Sequence, residues 1–354
     1  MLHRHIHHNQ FVIFSLYSFL LTFFLGILVA EQIQMPIAMA DEYHIPRKHI
    51  SLPDTKILIF GDMMLDRHVR EKININGTKY PFELIRDTIS DNDIVVANAE
   101  GSFTFFDSVT VNKENAPLNF TFDPIILTTL KEFGFTLLGQ ANNHTLNFGM
   151  EGFNQSTTSI TIAGLNYFGD PQNKNITPYI KEINGEKIGF VAYNEFSYQG
   201  KDNVISKIQE IKKEVSYLIV YPHWGEEYNP SFTLSQQKIA HEFIDAGADV
   251  IIGMHPHVIE PIEFYKNKLI FYSIGNFIFD QAKDGPKTEG LAIKILLNKE
   301  SASYEIKPFF IKNAQVSLMD SAEKQIVLNF LEKTLVNPNE FRVDLTNGII
   351  KLVR

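Results

Sequence analysis

The stretch GMHPHVIEP, residues 253–261, follows GADVII, 247–252, which reads as a buried β-strand, and it sets two histidines one residue apart at the strand's exit. Working outward from it, further apolar runs recur: KILIF (56–60), DIVVANA (93–99), FTLLGQ (135–140), KIGFVAY (187–193), YLIVYP (217–222) and KLIFYSIG (268–275). Amphipathic stretches lie between them at 81–90, 124–132, 150–163, 203–215 and 233–246. The last has Thr233 or Ser235 as its N-cap and Gly247 as its stop. Runs that are apolar on both faces predict strands covered on both sides, so the alternation predicts an α/β domain. From about 290 the pattern changes to strands LAIKILL, SYEIKPFFI and GIIKLVR with a helix at 321–335. Residues 55–354 therefore read as one domain, with 290–354 as a C-terminal elaboration.

Open α/β sheets place ligands beyond the carboxyl ends of their strands, and the chemistry-bearing residues fall there. Asp62 follows KILIF, Glu100 follows DIVVANA, and Asn142, Asn143 and His144 follow FTLLGQ. His223 ends YLIVYP, and His255 and His257 end DVIIG. Taken singly, each has an ordinary structural explanation: a helix cap or Asx-turn for Asp62, a surface turn for Glu100, core packing for His223. Jointly they form a ligand list. Of twelve histidines, four lie in the first ten residues and four in these motifs. The chain has no cysteine, so a metal would be held by His, Asp, Glu or Asn. If the 253–261 segment is extended, alternation aims His255 and His257 to one side, with Pro256 stiffening the backbone between them.

The strings GDMMLDR, NAEG, ANNHTLNFG, HWGEEY, GMHPHVIEP and YSIGNFIF, in that order over residues 55–285, resemble the CapA family. That family is a branch of the calcineurin-like metallophosphoesterase superfamily linked to bacterial poly-γ-glutamate capsule synthesis. The resemblance implies a β-sandwich flanked by helices, a four-layer αββα fold. It implies two divalent ions (Mn, Zn or Fe), one held by Asp62, Glu100 and His257 and the other by Glu100, Asn143, His223 and His255, with Glu100 bridging. His144 would be the catalytic acid or electrostatic donor rather than a ligand. Arg67 and Asn276 are candidates for substrate binding, with a surface salt bridge as the alternative for Arg67.

Two positions depart from the superfamily pattern. Met64 stands where a second ligand would follow Asp62, and a thioether is a poor partner for hard cations. Asp66 could replace it if the chain turns into a helix there, although a role at that helix's N-terminus explains it equally well. Glu226 either orients His223 or is an exposed carboxylate. Loops at about 68–80, 102–120 and 195–203 would choose the substrate.

Residues 11–30, FVIFSLYSFLLTFFLGILVA, carry no charge and are long enough to span a bilayer. They read as a signal anchor, or as a signal peptide cleaved after Ala40, joined by a linker at 31–54. Arg4 on one side and Glu31, Asp41 and Glu42 on the other place the main domain outside the cytoplasm, in the cell membrane as a single-pass protein or secreted. The net charge of −9 and the lack of a basic cluster argue against a nucleic-acid partner. Two functions remain. One is a metal-dependent hydrolase acting in synthesis or export of an anionic envelope polymer. The other is a non-catalytic component that binds the polymer or its synthesis machinery.

Overall fold

The computed structural model describes residues 54–111, 117–281, 285–337, 345 and 347–354. The apolar segment 11–30, the connector to residue 53 and the cleavage site at Ala40 lie outside them. Among the described residues no helix is long and apolar enough to cross a membrane.

The strands in chain order are β1 (Thr55–Met63), β2 (Ile94–Ala99), β3 (Ser102–Phe103), β4 (Thr121–Phe122), β5 (Leu137–Gly139) and β6 (Asn166–Phe168). Then come β7 (Tyr179–Ile183), β8 (Glu186–Asn194), β9 (Tyr217–His223), β10 (Val250–Ile252), β11 (Ile262–Tyr265) and β12 (Lys268–Phe271). The last are β13 (Asn276–Ile278), β14 (Glu289–Leu297), β15 (Ser301–Lys312), β16 (Gln315–Leu318) and β17 (Ile349–Val353). The helices are α1 (Arg67–Asn76), α2 (Arg86–Ser90), α3 (Ile126–Phe133), α4 (Gly149–Ile162), α5 (Asp202–Lys212), α6 (Leu234–Ala246) and α7 (Ser321–Thr334).

One sheet runs β16-β15-β14-β1-β2-β5-β6, with β13 also paired to β1 and β17 to β15. The other runs β11-β12-β10-β9-β8-β7. Their inner faces form one core, in which Ile57, Ile59, Val96 and Leu137 of the first sheet meet Phe190, Ile219, Tyr221 and Ile252 of the second. The outer face of the first sheet, through Leu58, Phe60 and Val95, packs against Val69, Ile89, Leu130 and Ile160 of the helices. The outer face of the second, through Val191, Val220 and Ile251, packs against Val204, Ile208, Ala240 and Phe243. The layers are helix, sheet, sheet, helix. Central strands bury every or nearly every side chain, which is why they read as uninterrupted apolar runs rather than as alternation.

Helix α6 begins where the sequence indicates: Thr233 and Gln236 form a reciprocal capping box, and Gly247 ends it. Other segments differ from expectation. Residues 67–76, read as loop, form α1, whose buried Val69 and Ile73 lie four apart on one face. The run KLIFYSIG divides: Lys268–Phe271 pairs with β10 in the second sheet, and the chain then crosses to the first sheet, where Asn276 pairs with Asp62. From 289 onward, β14, β15, β16 and β17 extend the first sheet, with β14 antiparallel to β1 over Thr55–Ile59.

The exit of β10 is not extended. His255 has φ 99° and His257 φ 59°, so both sit in left-handed backbone and the chain folds over itself. Gly253 permits the start of this turn, because a Cβ there would stand 2.1 Å from the Tyr272 carbonyl and 2.5 Å from the Trp224 indole nitrogen. Beyond the turn, Glu260 is buried; one oxygen accepts from Gln236 Nε2 at 2.9 Å and the other has no partner among the described residues. Burial raises its pKa to about 8. A carboxyl raised in this way favours folding fully below about pH 4.5, and the contribution is lost as pH rises through about 8. Glu260→Gln is therefore expected to match the wild type in urea denaturation near pH 4 and to exceed it at pH 9 by roughly 3–5 kcal/mol. An unchanged difference across that range would refute the assignment.

Candidate metal centre

Strand register creates the first row of the site. Parallel pairing of β1 with β2 and β13 sets Asp62 level with Asn98 on one side and Asn276 on the other. Asp62 Oδ1 accepts from Asn98 Nδ2 at 2.7 Å, and Oδ2 accepts from the backbone N–H of His255 at 2.9 Å. Asn98 Oδ1 in turn accepts from Asn142 Nδ2 at 3.0 Å. The first sheet thus contributes a buried chain of carboxylate and amides. The second contributes imidazoles, from the ends of β9 and β10.

Three prospective ligand atoms converge on one side. His223 Nε2 lies 2.9 Å from Asn143 Oδ1 and 3.1 Å from His255 Nδ1. On the other side His257 is oriented by Asn276. The Asn276 Nδ2 faces three oxygens, those of His257, Lys287 and the Gln281 side chain, so its Oδ1 faces His257 Nδ1 at 2.9 Å and takes that proton. This leaves the lone pair on His257 Nε2, 3.7 Å from Glu100 Oε1. Burial lowers His223 well below the ordinary imidazole range and holds His255 and His257 at about 3. Neutral imidazole is the metal-binding form.

Glu100 decides what the cluster fits. It is fully buried, and neither oxygen has a hydrogen-bond partner among the described residues. Burial, with Asp62 nearby, pushes its pKa well up. The nitrogens around Oε1 stand off at 3.7 Å (His257), 3.8 Å (His144) and 4.0 Å (His223). Such gaps are too wide for hydrogen bonds but suit ligands that face each other across an ion, each at about 2.1 Å from it. Glu100, His223 and His255 form one group of atoms within 4.8 Å of one another, and Asp62, Glu100 and His257 form a second. Glu100 belongs to both. The residues present therefore fit divalent cations.

His144 lies beside this cluster. Its Nδ1 is 3.0 Å from both the Leu118 carbonyl and Asn147 Oδ1, two acceptors, which fixes the proton on Nδ1 and turns Nε2 toward Glu100. Burial lowers its pKa.

Other sequence-derived candidates lie elsewhere. Asp66 is committed to Arg70 Nε (2.9 Å), Ser108 Oγ (2.7 Å) and the Thr121 N–H (3.1 Å), so it does not replace the missing ligand. Met64 is buried in the apolar cluster, with its sulfur accepting the Asp66 N–H. Arg67 pairs with Asp280 at 3.3 Å and keeps 31% of its side chain exposed. Asn276 is buried against His257 rather than open to a substrate. Glu226 accepts from Asn229 on the surface, and the group backing His223 Nδ1 is Asn98 at 3.2 Å. Sequence reasoning passes over Asn98 and Glu227 and reads Asn147 as turn chemistry. Asn98 and Asn147 stand inside the motifs NAEG and ANNHTLNFG, and Glu227 adjoins the Glu226 that was singled out.

A cleft of about 420 Å³ opens beside Asn143, lined also by Gln172, Lys174, Asn194, Phe196 and Gln199. A larger groove, about 980 Å³, lies between α3 and α4 and touches none of these groups.

Residues 56–281 match the model of a family described as bacterial capsule synthesis protein PGA_cap. The capsule biosynthesis protein CapA of Bacillus anthracis is 30% identical over 299 residues, which cover 78% of this chain and 72% of that protein. The PGA biosynthesis protein CapA of Bacillus subtilis (strain 168) is 29% identical over 294 residues, 77% of this chain and 76% of that one. A solved purple acid phosphatase from yellow lupin seeds aligns over 75% of this chain and 53% of its own, with TM-score 0.40 and 11% identity.

Asn276→Ala is expected to free the His257 ring and weaken divalent-ion binding by about 10–100-fold, read by calorimetric titration with Mn²⁺. Affinity equal to the wild type would show that Asn276 does not set the ligand's orientation.

Proposed function

Because the chain belongs to the bacterial capsule synthesis protein family PGA_cap, we propose that it is a CapA-like, metal-dependent hydrolase of the phosphoesterase type, acting on an anionic envelope polymer during its synthesis or export. The observation that carries this reading is the buried, unpaired Glu100 carboxylate enclosed by three imidazoles. Two divalent ions, of Mn, Zn or Fe, would be held by Asp62, Glu100 and His257 and by Glu100, Asn143, His223 and His255. When bound, such ions polarise an ester oxygen and make water acidic enough to serve as nucleophile.

The chain's own residues do the rest. Asn276 and Asp62 orient His257 and the His255 backbone. His144 holds a proton on Nδ1, so Nε2 is the atom that can accept or return a proton at the reacting group. Phe196, packed on His255 with ring centroids 4.2 Å apart, shields one side of the site from water. Lys174 and the amides of Gln172 and Gln199 give the adjoining cleft one cation and hydrogen-bonding groups, which suits an anionic chain. The charge-free segment 11–30 supports a membrane tether with the domain outside the cytoplasm, or secretion after cleavage at Ala40.

One observation favours a second reading, a polymer- or partner-binding component without turnover: the buried thioether of Met64 leaves the Asp62 side of the site one ligand short of the superfamily pattern.

The purified protein loaded with Mn²⁺ is expected to hydrolyse a generic phosphodiester such as bis-(p-nitrophenyl) phosphate. His144→Ala should lose about 10²–10⁴ in kcat while keeping its metal content, measured by elemental analysis. Absence of bound metal in the wild type sinks the hydrolase reading. Metal binding without turnover in either protein selects the second reading.

A further inference from the structure

We propose that Glu227 is a further ligand of the metal centre, reaching it from the open side beside His255 and His257. The inference rests on the metal-centre reading above and concerns one side chain that the ligand list omits. A carboxylate oxygen of Glu227 lies within 4.8 Å of the ligand nitrogens of both His255 and His257, and His257 is shared with the Asp62–Glu100 group. Glu227 therefore stands on the open side of a site whose buried side is already built. The second observation is the buried Glu100 carboxylate, which lies 3.7 Å from His257 Nε2 and has no hydrogen-bond partner among the described residues.

The backbone holds Glu227 in place. Trp224 N–H donates to the Met254 carbonyl at 3.1 Å and Tyr228 N–H to the Pro256 carbonyl at 2.8 Å, so the 224–228 turn is stitched to the His-Pro-His turn on both sides of Glu227. Tyr228 is itself fixed: Gln281 Nε2 donates to its hydroxyl at 3.2 Å, and the Lys287 ammonium lies 3.6 Å from its ring centroid. Both Glu226 and Glu227 are exposed, but Glu226 accepts from Asn229. Two consecutive glutamates thus face different surroundings, and only the second faces the imidazoles. With Glu227 included, the centre as a whole has three carboxylates, Asp62, Glu100 and Glu227, which suits a hard cation such as Mn²⁺.

The test is Mn²⁺ binding by the whole protein, followed by calorimetric titration and by metal content after gel filtration. The wild type is expected to hold two ions per chain. Glu227→Gln and Glu227→Ala should keep one at unchanged affinity and bind the other at least about 10-fold more weakly, while Glu226→Gln behaves as wild type. Thermal unfolding in chelator should be the same for all four proteins, which separates loss of a ligand from loss of fold. Two ions at wild-type affinity in Glu227→Gln overturn the inference, as does a single wild-type ion that the variant still binds equally well. A wild type that binds no ion refutes the metal-centre reading itself, and the inference with it.

Discussion

Glu100 is fully buried, carries two oxygens with no donor among the described residues, and has a second carboxylate, Asp62, for a neighbour. An uncompensated buried charge costs several kcal/mol even after relaxation, so this side chain is either protonated or matched by a cation. The contrast with Asp62 is informative. Asp62 is equally buried, but each of its oxygens accepts a hydrogen bond, one from Asn98 and one from the His255 backbone. The same fold that satisfies one carboxylate completely leaves the other bare, with imidazole nitrogens spaced around it at 3.7–4.0 Å. For His257 and His223, that spacing is the one ligands take across a shared cation.

The division of donors between sheets gives this arrangement a structural consequence. Asp62, Glu100 and Asn143 issue from the first sheet, whereas His223, His255 and His257 issue from the second. Each of the two groups built around Glu100 contains members from both sheets. An ion in either group would cross-link the two halves of the sandwich at its open end, beyond the inter-sheet core that joins them elsewhere. Because bound ligand stabilises only the folded state, the energy stored in the bare carboxylate would be recovered as a tie between layers.

The α/β alternation and the edge where the polar groups gather were legible in the sequence because central strands buried on both faces leave long apolar runs, and a polar residue at the end of such a run stands out; the sandwich itself came only with the family resemblance. Asp62, Glu100, Asn143, His223, His255 and His257 were found in this way, and the structure brings them together. The orienting groups were harder to see. Asn98 lies within a strand, level with Asp62, and becomes visible only through the register of β1 against β2. Asn147 reads as a turn residue, and its contact with His144 depends on how that turn closes over Phe120. Helix α1 was missed because only two of its side chains, Val69 and Ile73, are buried, too few to stand out as a periodic pattern. Asp66 and Glu226 take the plainer of the two roles open to each, Asp66 as the N-cap residue of α1 and Glu226 as an exposed carboxylate, because proximity in sequence to a motif says nothing about where a side chain finds its donors.

The His-Pro-His turn shows why the geometry could not have been inferred from alternation. An extended segment would aim both rings to one side, yet positive φ at His255 and His257 fans them apart, with ring centroids 5.6 Å from each other. One ring meets His223 and the other meets Asn276. Left-handed backbone at a non-glycine residue costs on the order of 1–3 kcal/mol and persists only where its surroundings over-determine it. Here they do: the His255 N–H is taken by Asp62, the Met254 and Pro256 carbonyls by Trp224 and Tyr228, and the His257 ring by Asn276. Glycine would relieve the strain at either position, but it has no nitrogen to offer a cation. The strain is therefore evidence that the side chains matter. It also explains why the turn is stitched to β1, β13 and the 224–228 loop at once, since a hinge free to relax would carry both imidazoles out of reach of Glu100.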